Sequence, residues 1–139
     1  MPNLSVNTGI EEYTLNDNVK VRLNPTDPAF VKRIFNRFSE LEAKDKAWRE
    51  KIRDLSKPEE VMAAYDEGEA LFARAVDDIL GEGTCRGVAG DTSVLSLAGG
   101  APIWMNILLA IIDEMDSAIA REQKAANPKL EKYLKKYHR

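Results

Sequence analysis

A chain of 139 residues, 44% apolar and 31% charged, is long enough to bury one sizeable core and has the make-up of a soluble globular protein. One cysteine, Cys85, excludes an intrachain disulfide framework and a cysteine-built zinc site, and one histidine, His138, leaves no ready nucleophile–base pair. The net charge of −3 lacks the basic surplus of a compact nucleic-acid binder.

Residues 1–9 are polar and predict a loose N-terminus without the basic-then-apolar pattern of a secretory signal. Residues 10–23 predict a β-hairpin. Ile10, Tyr13 and Leu15 have strand-forming side chains, Asn16-Asp17-Asn18 form the turn, and Val19, Val21 and Leu23 alternate with Lys20 and Arg22. Such a hairpin is marginal alone, so its apolar face must pack on a helix. Asp27 and Pro28 then read as the N-cap and first residue of a long helix. Its stripe is Val31, Ile34, Phe38, Leu41, Trp48, Ile52 and Leu55, interrupted only by Asp45.

Ser56 and Glu59 have the spacing of a capping box for a second helix with the stripe Val61, Tyr65, Gly68, Phe72, Val76 and Ile79. Gly68 costs a helix interior about 1 kcal/mol relative to Ala, which a close helix–helix approach would explain. Residues 81–100 hold six of the eight glycines and predict the main non-helical connection, longer than a routine loop and therefore functional, mobile or both. Pro102 opens a third main helix with the stripe Ile103, Ile107, Leu108, Ile111, Met115 and Ile119, widened by Trp104, Leu109 and Ile112. Asn127-Pro128 ends it, and a short basic helix runs from Lys129 to about Tyr137. The expected fold is therefore mainly α with a small N-terminal β-hairpin, three to four helices packed as a compact bundle. In domain terms, 1–9 is a flexible N-terminus, 10–126 a single α-rich domain, and 127–139 a basic C-terminal helix or tail.

The net charge is a sum of blocks: +4 over residues 29–58, −7 over 59–82 and +5 over 121–139. The first two helices, joined by a short turn, should pack antiparallel with opposite charges side by side. The basic tail, with Lys129, Lys132, Lys135 and Lys136, is left to meet an acidic surface on a partner or a neighbouring copy. The longest apolar stretch, Ala101–Ile112, has 12 residues against the ~20 that span a bilayer, so no membrane segment is expected.

Candidate chemistry is thin. Gly81-x-Gly83-x-x-x-Gly87-x-x-Gly90 follows a helix rather than a strand and has no Gly-Lys-Ser/Thr after it, so it matches neither a phosphate loop nor a dinucleotide fingerprint. Arg86 could lower the pKa of Cys85, but no base or resolving thiol accompanies it. Asp113, Glu114 and Asp116, or Asp77, Asp78 and Glu82, read as solvated helix faces rather than a cation site. No catalytic residue, cofactor or metal is expected. The segment Ile103–Ile112 is the most telling, because a helix apolar nearly all round is either buried or covered by something else.

Two passages carry a resemblance. Tyr13-Thr-Leu-Asn-Asp-Asn-Val-Lys-Val-Arg-Leu-Asn-Pro-Thr-Asp-Pro-Ala-Phe-Val-Lys-Arg-Ile-Phe35 resembles the opening of the small tail assembly chaperones of long-tailed phages and prophages, a strand pair followed by an Asn-Pro-x-Asp turn into a long helix. Val76-Asp-Asp-Ile-Leu-Gly-Glu-Gly-Thr-Cys-Arg-Gly-Val-Ala-Gly-Asp91 resembles their helix, Gly-x-Gly-Thr and Gly element. The likeness runs in order over most of residues 10–125. It implies a non-enzymatic protein of the host bacterial cytoplasm that coats the tape-measure protein, helps recruit tail-tube subunits and leaves before the virion is complete. A homo-oligomer is the expected state. On hydrophobicity, Ile103, Trp104, Ile107, Leu108 and Ile111 are the expected client or self-association face, and the lysine tail steers the encounter. The competing readings are a retained virion component such as a head–tail connector, a small regulatory or nucleic-acid-binding protein, and an enzyme using Cys85 or a carboxylate site.

Overall fold

The computed structural model describes residues 1–137. His138 and Arg139, the end of the expected basic tail, lie outside the described residues. Strands β1 (Glu11–Leu15) and β2 (Val19–Leu23) pair antiparallel with Leu15 opposite Val19. Asn16 and Asp17 take the left-handed backbone of the turn, at φ of 50° and 59°. Val21 and Leu23 point into the core, as the alternation requires.

Helix α1 (Pro28–Arg53) starts at Asp27, whose carboxylate accepts from Ala29 N at 3.0 Å. It buries Phe30, Ile34 and Leu41. Asp45, the break in the apolar series, is also buried and pairs with Arg49 at 2.9 Å. Helix α2 spans Pro58–Leu80. The expected capping box does not form: the N-cap is Lys57, with no side-chain bond. Pro58 at the first helical position has no N–H in need of a cap, so the helix begins there and Ser56 stays outside.

The two helices run antiparallel. Arg33 Nη2 donates to Ile79 O (3.3 Å), Arg37 pairs with Asp78 (3.4 Å), and Lys51 pairs with Glu67 (3.2 Å). Between these contacts Trp48 lies flat on Gly68: a Cβ there would stand 2.7 Å from the indole. The indole Nε1 donates to Ala64 O at 2.9 Å. Ala64 thus takes the inner position, and Tyr65, expected in the buried stripe, is 49% exposed.

The glycine-rich segment is more ordered than its composition suggests. Helix α3 (Thr84–Ala89) occupies its first half. Strands β3 (Leu97–Ala98) and β4 (Ala101–Pro102) close its second half around Gly99-Gly100, whose φ values are 64° and 89°. Helix α4 (Ile103–Lys124) follows directly. Its amide groups at Ile103 and Trp104 donate to Ser96 O (2.9 Å) and Val94 O (3.1 Å). Helix α5 (Pro128–Tyr137) is capped by Asn127 Oδ1, which accepts from Lys129 N at 2.9 Å.

One apolar cluster joins the hairpin, α1, α2, α3, Val94 and α4. Its centre is aromatic: Phe72 stacks on Trp104 at 4.6 Å and 8°, and Trp48 meets Phe72 edge-on at 6.3 Å. The fold is thus mainly helical with a small N-terminal hairpin, as the sequence predicts. No described helix is long and apolar enough to cross a membrane.

Candidate interaction surfaces

Segment 81–100 is tied down by charge. Asp77 accepts from Gly83 N and Cys85 N, both at 2.9 Å, and so supplies from α2 the cap that α3 lacks locally. Arg86 pairs with Glu69 and donates to Gly90 O (2.7 Å) and to Thr92 O. Glu69 also accepts from Ser93 Oγ (2.5 Å) and Val94 N (3.1 Å). Burial acts to raise the Glu69 pKa, but the bonds from Ser93, Val94 and Arg86 outweigh it and hold the carboxyl below the usual range. Little in the sequence marks Glu69, one acid among seven on an acidic helix. Arg86 was the better signal: a cation set among glycines whose carbonyls need donors.

This network makes one wall of an open cleft of about 740 Å³. Tyr65 and Leu95 supply apolar surface, and Asp66 and Asp91 lie on its rim. Neither aspartate has an ion-pair partner among the described residues.

A second open cleft, of about 410 Å³, lies between the hairpin turn, α3 and α4, with Leu15, Val88, Ile103 and Ile107 among its lining. Its walls are held closely. Asn18 Nδ2 reaches Gly87 O at 3.4 Å, and a Cβ on Gly87 would stand 2.7 Å from Val19. On the far side Asn106 Nδ2 donates to Ala98 O at 2.9 Å and holds the β3–β4 turn against α4.

The expected client face on α4 needs correcting at this point. Trp104, Ile107, Leu108 and Ile111 are in the protein's own core, with Trp104 and Leu108 fully enclosed. Four elements surround α4, so its all-round apolarity is consumed internally. Only Ile103, which is half-buried, and an edge of Ile107 reach the second cleft. Trp104 Nε1 is buried and finds no acceptor among the described residues, a cost of about 1–3 kcal/mol.

Cys85 is fully buried, and its thiol is pushed up to about 12 by burial, with Asp77 and Glu69 adding to the effect. Arg86 acts in the opposite direction and loses. A neutral, enclosed thiol is a poor nucleophile. Of the acidic residues on α4, Glu114 accepts from Tyr13 Oη (2.7 Å) and Arg121 (2.8 Å), and these bonds hold it below the usual carboxyl range. No group of three or more His, Cys, Asp and Glu side chains is placed to hold a metal ion among the described residues.

The basic helix α5 stands outside the core. Leu130 and Leu134 are 57% and 46% exposed, and Lys129, Lys132, Lys135 and Lys136 are exposed around them. The features together describe a helical domain with several open clefts and an exposed basic helix. Comparison with protein-family models, curated proteins and solved structures found no match.

Proposed function

We propose that this chain is a tail assembly chaperone of a long-tailed phage or prophage. It binds the tape-measure protein, helps recruit tail-tube subunits, acts without catalysis in the host bacterial cytoplasm and is absent from the finished virion. The passages Tyr13–Phe35 and Val76–Asp91, which resemble that family, are the support from sequence. The observation that carries the reading further is the 410 Å³ cleft built where these two passages meet α4. A tape-measure helix has an apolar stripe to be shielded, and a shallow apolar cleft flanked by polar surface takes one or two side chains of such a stripe. Ile103 and Val88 are then the client contacts, in place of the enclosed residues of α4.

Co-expression with the cognate tape-measure protein tests it. The expected result is a soluble complex on affinity capture, lost in Val88→Asp/Ile103→Asp with the circular dichroism spectrum retained. Failure of the wild-type chain to associate refutes the reading. Stoichiometric amounts of the protein in purified virions would instead favour a retained structural component.

A further inference from the structure

Two surfaces of opposite character are left unsatisfied within one chain. On α5, Leu130 and Leu134 lie one turn apart, flanked by Lys129 and Lys135, which have no ion-pair partner among the described residues. In the 740 Å³ cleft, Tyr65 and Leu95 share the lining with Asp66 and Asp91, which have no ion-pair partner among the described residues. The helix offers apolar side chains between cations, and the cleft offers apolar walls between anions.

The two cannot meet in the same molecule. The cleft adjoins the start of α4, whose first amides bond to Val94 and Ser96. From there α4 runs along the hairpin: Ile107 shares the second cleft with Leu15, and further on Glu114 accepts from Tyr13 Oη. The 22 residues of α4 make it about 33 Å long, from the first turn, which adjoins the cleft, to the last. The link Ala125–Asn127 spans at most about 11 Å, and Leu134 lies about 10 Å further along α5. Even folded straight back, Leu134 falls about 10 Å short of the cleft.

We infer that α5 of one copy docks in the Tyr65–Leu95 cleft of a second copy, with Lys129 and Lys135 meeting Asp66 and Asp91. The contact joins different surfaces of the two molecules, so every added copy presents a new free cleft or a new free helix. It therefore builds head-to-tail chains or a closed ring rather than a symmetric dimer. A ten-residue helix covers far less than the roughly 1,200–2,000 Å² of a stable interface, so association is weak, reversible and stronger at low salt. This inference rests on geometry and charge alone and stands or falls independently of the client.

Sedimentation velocity on the full chain and two variants tests it. Leu130→Ser/Leu134→Ser removes the docking helix's stripe, and Asp66→Lys/Asp91→Lys reverses the cleft. All four positions are at the surface, and melting curves matching the wild type verify folding. The wild type is expected to grow beyond 15.6 kDa with concentration at low salt, while each variant alone stays monomeric. Mixing the variants is expected to restore association and stop it at 1:1, because one retains the cleft and the other the helix. A wild type that stays monomeric at millimolar concentration, a helix variant that assembles like the wild type, or a mixture that remains monomeric each overturns the inference. Lys129→Glu/Lys135→Glu provides a second helix variant, expected to lose assembly at low salt and to regain it when mixed with Asp66→Lys/Asp91→Lys.

Discussion

Replacing Gly68 by Ala tests the α1–α2 packing most directly, because two effects of known sign compete at one atom. On helix propensity alone, Gly68→Ala in the middle of α2 stabilises by about 1 kcal/mol. In this structure the added Cβ would stand 2.7 Å from Trp48 Nε1 and Cε2, well inside contact distance. The indole must then move. Overpacking of this kind costs about 1–3 kcal/mol, and loss of the Trp48 Nε1–Ala64 O bond costs about 0.5–1.5 kcal/mol more. The edge-on contact with Phe72 is disturbed as well. Set against the propensity gain, the net is a destabilisation of about 0.5–3.5 kcal/mol. For a chain of this length that is a fall of about 2–12 °C in Tm. The assay is urea and thermal unfolding followed at 222 nm, with Trp fluorescence as a second probe. The same substitution in a Trp48→Leu background is the control, where the obstruction is gone and the Ala should stabilise. A wild-type-background Gly68→Ala protein with Tm equal to or above that of the parent would refute the reasoning.

Five other outcomes are expected. Cys85 should resist thiol reagents at pH 8 in the native protein and react at once in 8 M urea; fast labelling of the native state would contradict its burial. Its thiol is raised to about 12 in the folded state against about 8.5 unfolded, so the folded state holds the proton more tightly. That stabilisation is complete below pH ~8.5 and is lost as pH rises from there toward 12, so Cys85→Ala should flatten the alkaline limb of a stability–pH curve. Glu69 and Glu114 are shifted the other way, so what they contribute is present above the ordinary carboxyl range and lost as pH falls through and below it. Glu69→Gln should cost about 1–2 kcal/mol at neutral pH and shrink the acid-induced loss, measured by chemical denaturation between pH 7 and 2. Ile107→Ser and Ile111→Ser should each cost about 3–5 kcal/mol of stability, which would be wrong if either left the melting curve unchanged. Removal of residues 128–139 should change stability by less than about 0.5 kcal/mol, because α5 lies outside the core.

The sequence determined the hairpin and the long helices, because their signals are local. The hairpin was legible from the alternation at Val19, Val21 and Leu23 beside three turn formers, and the start of α1 from Asp27-Pro28. The cost of Gly68 even pointed to a close approach at that position. The tertiary structure decided what the local signals leave open. Ser56 met the spacing of a capping box, yet Pro58 made a cap unnecessary. Segment 81–100 reads as loop because its order comes from Asp77 and Glu69, which lie on the preceding helix and are unremarkable among its acidic residues. Ile103–Ile112 announced that something covers it, but periodicity cannot say whether the cover is the chain itself or another molecule. The hairpin, α1, α2 and α3 close around it, and the open clefts lie elsewhere, lined by residues far apart in sequence. Local pattern fixes which face of a helix is apolar; only the packing of all the elements fixes which apolar atoms remain in contact with water.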